Sequence, residues 1–241
     1  MYLHNKDYEV KYTDVDFNDN IKLSSLLSYM LESACLSADE LGFGYSVLQP
    51  RNLGFILANW YVELFRPIRL GDKLTVHTWP VEPKKLIVFR DFELFVGEEK
   101  VGVATSRWCM VNLSTFNMVP AKAVFSDDIV YNDFRSVDFN GWKIPSCGFS
   151  EQPDYVKHVS YSDYDHYYHV NNTKYGDFLM DAFDPDELKG KAIQSVQISY
   201  VKQCKYGEML NFFKTSTDDG YYVVEGRVNG EVRIQMKLKL F

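Results

Sequence analysis

The sequence predicts an α+β chain built as a tandem, with two copies of a long helix wrapped by an antiparallel sheet. Three observations lead there. First, Tyr12-Thr-Asp-Val-Asp-Phe-Asn-Asp-Asn-Ile21 aligns without a gap on Tyr161-Ser-Asp-Tyr-Asp-His-Tyr-Tyr-His-Val170, 149 residues later. Second, each copy runs on into apolar residues at helical spacing. Third, each of those stretches is followed by four runs of strand character separated by turn signals.

In the first copy Leu23, Leu26, Leu27, Met30, Leu31, Ala34, Cys35, Ala38 and Leu41 mark one buried helix face. Strand-like runs follow at 54–66, 72–82, 86–96 and 100–112, broken at Gly71-Asp72, Pro83 and Gly97-Glu98. In the second copy Val170, Tyr175, Phe178, Leu179, Ala182 and Phe183 carry the helical spacing. Asn171 or Asn172 caps its start, and Asp184-Pro185 ends it. Strands are expected at 193–203, 208–216, 221–228 and 231–240, the last two joined by the hairpin signal Asn229-Gly230. The expected division is 1–122, a linker over 123–152 lying on the surface, and 153–241.

Composition narrows the function classes. With 46% hydrophobic and 24% charged residues, the 241-residue chain has the material for a real core. It contains no run of roughly 20 apolar residues, so no membrane-spanning helix is expected. The net charge of −7 is spread evenly, 12 basic and 15 acidic residues up to Pro120 against 14 and 18 after it. Nucleic acid as a partner is disfavoured, because phosphate neutralisation needs clustered Lys and Arg. Cys35, Cys109, Cys147 and Cys204 lie far apart with no C-x-x-C pair, which suits a reducing compartment. Nothing in MYLHNKDYEV directs the chain out of the cytosol, so the expected location is cytoplasmic.

Three segments carry a resemblance. Asp163-Tyr-Asp-His-Tyr-Tyr-His-Val-Asn-Asn-Thr-Lys-Tyr175 resembles the D-x-D-x-N-x-H-V-N-N-x-x-Y signature of acyl-acyl carrier protein (acyl-ACP) thioesterases. Ala104-Thr-Ser-Arg-Trp-Cys-Met-Val-Asn112, with Pro120 beyond it, is similar to that family's A-T-S-x-W-x-M-x-N strand. Trp60, Arg66, Gly71-Asp72 and Trp79 match its second and third strands. The resemblance covers nearly the whole chain and implies a double hotdog fold that hydrolyses acyl-ACP without a cofactor.

Thioester hydrolysis needs an activated water or a nucleophile, together with donors for the developing oxyanion. Asp165 and His169 stand four residues apart at the expected entry to the second helix, where unpaired N–H groups would polarise a carbonyl. The resemblance implies that this aspartate is essential and this histidine catalytic. The alternative is that Asp163 and Asp165 only shape the turn and His169 only packs. The first copy is an internal control: Asn20 stands at the His169 position, and Ile21-Lys22-Leu23 replaces Val-Asn-Asn. That asymmetry favours a site in the second half.

Two residues depart from the family. Tyr167 replaces the Asn between aspartate and histidine, and Gln203 replaces the Glu of a Glu-Cys pair. A phenol still donates one hydrogen bond, whereas a glutamine positions water without taking its proton. Cys204 is a candidate nucleophile beside His169, with a small buried strand residue as the favoured alternative. No G-x-S-x-G, G-x-G-x-x-G or P-loop motif is present. His166 and His169 lack a third partner at defined spacing, so no metal site is expected.

For the substrate, the resemblance places the acyl tail in the first copy, with Leu27, Met30, Leu31, Phe55 and Trp60 as lining candidates and Asn171 as a contact near the reacting group. Acyl carrier protein is acidic, so docking needs a local basic patch. Arg66, Arg69, Lys202 and Lys205 stand at comparable places ahead of Gly71 and Gly207 and are the candidates. Rival readings are an acyl-coenzyme A thioesterase and a non-hydrolytic acyl-binding protein. Pairing of two chains into a homodimer is a further expectation from the fold.

Overall fold

The computed structural model describes residues 2–125, 128, 129, 131–148 and 150–241. Its strands are β1 (His4–Glu9), β2 (Leu53–Leu64), β3 (Lys73–Lys84), β4 (Ile87–Val96), β5 (Glu99–Asn112), β6 (Met118–Val119), β7 (Tyr155–His158), β8 (Ile193–Tyr200), β9 (Met209–Ser216), β10 (Tyr222–Val228) and β11 (Glu231–Leu240). Its helices are α1 (Leu23–Glu40), α2 (Tyr45–Leu48), α3 (Lys174–Met180) and α4 (Pro185–Leu188). All the strand runs expected from alternation appear in place, because period-two burial leaves little freedom of register.

The strands form one antiparallel sheet in the order β1-β3-β4-β5-β2-β8-β11-β10-β9-β7, with β6 added beside β5. The halves are joined where β2 pairs with β8, from Asn59 opposite Ser199 to Glu63 opposite Ser195. The main apolar core spans both halves. Leu26, Leu27 and Met30 of α1 lie in it with Phe178 and Leu179 of α3, Trp60 and Val62 of β2, and Ile198 of β8. Gly176 lets the two helices touch, since a Cβ there would sit 3.1 Å from the Ser24 nitrogen.

The second helix is much shorter than its apolar spacing suggests. It has seven residues, Lys174–Met180, against eighteen in α1. Val170 lies in an extended bridge to Tyr164 rather than in a helix. At the other end Pro185 keeps Asp184 extended, and Asp184 caps the short α4 by accepting from the Asp186 amide.

The connection between the halves is a strap across the outer face of the sheet. Arg135 grips Asp91 of β4 through Nε at 2.7 Å and Nη2 at 3.0 Å, and the Ser136 amide adds a bond at 2.9 Å. Phe139 stacks on Tyr61 of β2 at 3.8 Å, and the Arg107 guanidinium lies 5.1 Å from the Trp142 ring. The Cys147 thiol reaches the Val223 carbonyl of β10, and Arg227 donates to the Gly148 carbonyl.

Candidate active site

The two repeated turns share one hydrogen-bond design. Asp14 Oδ2 accepts from the Lys11 amide at 2.9 Å, and Asp163 Oδ2 from the Ser160 amide at 2.8 Å. Asp16 Oδ1 accepts from the amides of Asn18 (2.8 Å) and Asn20 (3.1 Å). Asp165 Oδ1 accepts from those of Tyr167 (2.9 Å) and His169 (3.3 Å). Asp19 and Tyr168 take the same left-handed backbone, at φ 59° and 62°. Both aspartates of each copy therefore hold the loop together, whatever else they do. A tyrosine at positive φ carries more strain than an aspartate, and such strain is sustained mostly at working sites.

Beyond that shared frame the copies diverge. In the first, the turn is zipped to the loop that follows β2: the Ile21 amide donates to the Ile68 carbonyl (2.8 Å) and the Leu70 amide to the Asp19 carbonyl (3.0 Å). Asn20 is buried, and its amide donates to the Lys191 carbonyl at 3.1 Å. In the second copy neither backbone bond forms between the turn and the loop after β8. The Tyr206 amide bonds the Tyr164 hydroxyl instead, and the Cys204 amide bonds the Tyr175 hydroxyl at 3.3 Å. The first turn is closed and the second is open.

The open turn faces the first half of the chain. Tyr45 of α2 packs edge-on against both His166 and Tyr167, with ring centroids 5.6 Å away in each case. Tyr167 is 45% exposed, and its phenol is pushed up to about 12, by burial first and then by Tyr45, Cys35, Asp165 and Asp39. It stays a proton donor throughout the neutral range. The His169 ring, half-buried, has no hydrogen-bond partner among the described residues, and neither has Asp165 Oδ2. Asp165, His169 and Tyr167 thus share one turn.

Several expectations need correction. The helix begins at Lys174, beyond His169, so its first N–H groups are not those around the histidine. Asn171 has its Oδ1 occupied by the amide and hydroxyl of Thr173, both at 2.9 Å, which makes it a turn-former before it is a substrate contact. Gln203 is exposed on the loop after β8. Cys204 is 1% exposed in the main core, where the first copy has the fully buried Ile68. Burial raises its thiol above the ordinary cysteine range, against what a thiolate nucleophile needs. Cys204→Ala is expected to keep kcat within about threefold, as for a small buried residue outside the chemistry; a loss of hundreds-fold in a folded variant would restore the thiol to the mechanism.

The basic residues do not make one patch. Because β2 and β8 run antiparallel, the segment after Leu64 and the segment after Tyr200 leave opposite ends of the pairing, roughly 20–25 Å apart along the strands. Arg66 is paired with Glu99 and Asp72, and Lys202 with Glu231. Arg69 and Lys205 are exposed, and only Lys205, with Lys202, lies on the loop beside the open turn.

Of the tail-lining candidates, Leu27, Met30 and Trp60 are core residues at 0–1% exposure, and Leu31 is half-buried. Phe55 belongs to a second, smaller apolar cluster with Phe43, Phe125, Val88 and Met110. Phe43 is two residues from Tyr45, so this cluster adjoins the open turn. Tyr45, Tyr164 and Tyr206 were missed as site residues. For Tyr164 and Tyr206 the signal available was replacement of an aliphatic residue, Val15 and Leu70 standing at those places in the first copy; Tyr45 carried no such signal.

Comparison with known proteins gives the family of the chain. The acyl-ACP thioesterase N-terminal domain matches residues 1–126, and the acyl-ACP thioesterase C-terminal domain matches residues 150–238. A crystal structure of an acyl-ACP thioesterase from Bacteroides thetaiotaomicron is similar at 26% identity and a TM-score of 0.89, covering 99% of this chain and 98% of that one. The 12:0-ACP thioesterase from Umbellularia californica shares the fold at 17% identity and a TM-score of 0.87, covering 99% of this chain and 97% of that one. Oleoyl-acyl carrier protein thioesterase 1 of Arabidopsis thaliana is 21% identical over 90% of this chain, which spans 64% of that protein's length. The palmitoyl-acyl carrier protein thioesterase of Gossypium hirsutum is 23% identical over 98% of this chain and 60% of its own length. With both domain families matched in order across almost its full length, this chain belongs to the acyl-ACP thioesterase family.

Proposed function

We propose that the chain hydrolyses the thioester of a fatty acyl chain on acyl carrier protein, at the turn of its second half. Water adds to the carbonyl carbon, the C–S bond breaks, and the departing thiolate takes a proton, leaving free acid and carrier thiol. Asp165 acts through Oδ2, either as base toward that water or as a nucleophile that displaces the thiolate to form a mixed anhydride, which water then cleaves to free acid and regenerated carboxylate, while Oδ1 stays in the turn. His169 orients the water or the substrate, and Tyr167 donates from a phenol that keeps its proton. Gln203 positions water at the rim. The observation that carries this reading is the open second turn beside a closed first one. A merely structural pair of turns would be zipped alike.

The acyl donor class follows the family and the names of the relatives; the chain length does not. The tail is proposed to run from the turn past Tyr45 toward the cluster of Phe43, Phe55 and Phe125, gaining about 0.8 kcal/mol per buried methylene. Lys205 is the remaining candidate for the acidic carrier's docking charge. Described cysteines are all free thiols, in keeping with a cytoplasmic setting. Among the described residues no helix is long and apolar enough to cross a membrane.

The test is release of free acid from carrier-linked acyl chains of graded length, run beside the same chains on coenzyme A, with sedimentation of the same preparation to determine whether chains pair. Faster release from the carrier is expected. Release from neither donor, with tight acyl binding, would replace the reading with that of a non-hydrolytic binder. Faster turnover of coenzyme A would overturn the donor assignment alone.

A further inference from the structure

In the first half the Ile21 amide is satisfied by the Ile68 carbonyl; its counterpart, the Val170 amide, has no acceptor among the described residues, although Val170 is only 2% exposed. Buried backbone N–H groups without a partner are rare and costly. The cause lies in two tyrosines. The Leu70 amide that bonds the Asp19 carbonyl in the first copy corresponds to the Tyr206 amide, which the Tyr164 hydroxyl takes, and the Tyr175 hydroxyl anchors through its amide Cys204, the residue whose carbonyl corresponds to the Ile68 acceptor. The first copy has Val15 and Leu26 at those positions, side chains without a hydroxyl.

The peptides on either side of Val170 are fixed. The His169 carbonyl accepts from the Asp165 amide at 2.8 Å, and the Asn171 amide donates to the Asp163 carbonyl at 2.8 Å. The direction of the Val170 N–H is set before any ligand arrives, which is what a preorganised oxyanion donor requires. It also sits one peptide from His169 and on the turn that holds Asp165.

Resting on the hydrolytic reading above, we infer that the Val170 N–H donates to the thioester oxygen as it becomes an oxyanion, and that Tyr164 and Tyr175 are positioning residues that keep the loop from claiming that donor. The phenols act as wedges. Burial, the largest influence on it, raises Tyr175 far above the usual tyrosine range, so it keeps its hydroxyl.

The decisive experiment replaces a single backbone amide by an ester, using the α-hydroxy analogue of valine at 170 and that of isoleucine at 21. The ester at 170 is expected to lower kcat about 100-fold or more, the usual cost of one lost oxyanion donor, with a smaller fall in melting temperature than the ester at 21, because each ester weakens one preceding carbonyl (His169 toward the Asp165 amide, Asn20 toward the Asp16 amide) but only the one at 21 also deletes a bond already made. The ester at 21 is expected to lower the melting temperature and leave kcat alone. Tyr164→Val, which copies the first half, is expected to lower kcat at least about tenfold with KM changed less than threefold, through partial loss of the same donor. Wild-type kcat in the 170 ester, or destabilisation by it equal to that at 21, would overturn the inference while the hydrolytic reading stood. If the wild-type protein released no acid at all, the hydrolytic reading would fail, and the assignment of Val170 as an oxyanion donor with it.

Discussion

Asp165→Asn is expected to lower kcat about 1000-fold or more, at the upper end of what one acid–base or nucleophilic group supplies, with little change in stability. The substitution is suited to the geometry. Asp165 Oδ1 accepts from the amides of Tyr167 and His169, and an asparagine carbonyl oxygen at the same place accepts both. The turn survives while the charge and the proton-accepting oxygen disappear. Asp16 holds the equivalent turn of the first half by the same two bonds, so Asp16→Asn is the matched control and should leave kcat unchanged. Asp165→Ala would be a poorer choice, since it also removes the acceptor and costs on the order of 1 kcal/mol in loop stability. Equal kcat in the two asparagine variants would mean that Asp165 does only what Asp16 does, and the chemistry would have to be moved elsewhere on the turn.

How far this could be seen in the sequence depends on the kind of information involved. Strands were legible because alternation fixes which face is buried, and β2–β5 and β8–β11 fall within a few residues of their apolar runs. The second helix was misjudged because Val170 and Phe183 keep helical spacing while being held by other forces: the bridge to Tyr164 on one side and the Asp184-Pro185 stop on the other. The site was half legible. The repeat pointed to the second turn through His169 in place of Asn20, but not to the dual duty of Asp165, which shows only when both turns are compared bond by bond. The opening of the second turn was hidden, because it depends on hydroxyls reaching amides 42 and 29 residues away. Equal sequence position also misled. Arg66 and Lys202 stand at like places in the two copies, yet antiparallel pairing of β2 with β8 sends them to opposite ends of that strand pair.

Arg135→Ala is expected to be the most damaging single change to stability, costing about 3–5 kcal/mol. Asp91 is fully buried in the outer face of the sheet, and Arg135 supplies two of the three bonds its carboxylate receives from the strap. Truncation leaves that charge with the Ser136 amide alone, in a place water reaches poorly. For a domain of this size the loss corresponds to a fall in melting temperature of roughly 6–20 °C. The strap beyond it also carries Phe139 against Tyr61 and Trp142 against Arg107, so its release would uncover aromatic surface on the joint between the halves. Protease cutting within 131–148 should therefore quicken in the variant before global unfolding sets in. Replacing both partners, Asp91→Asn with Arg135→Leu, removes the buried charge and is expected to recover a large part of the loss. If the single variant melted within 2 °C of the wild type, the strap would be an ornament on the sheet, and the two halves would have to be held together by the pairing of β2 with β8 and the contact of α1 with α3 alone.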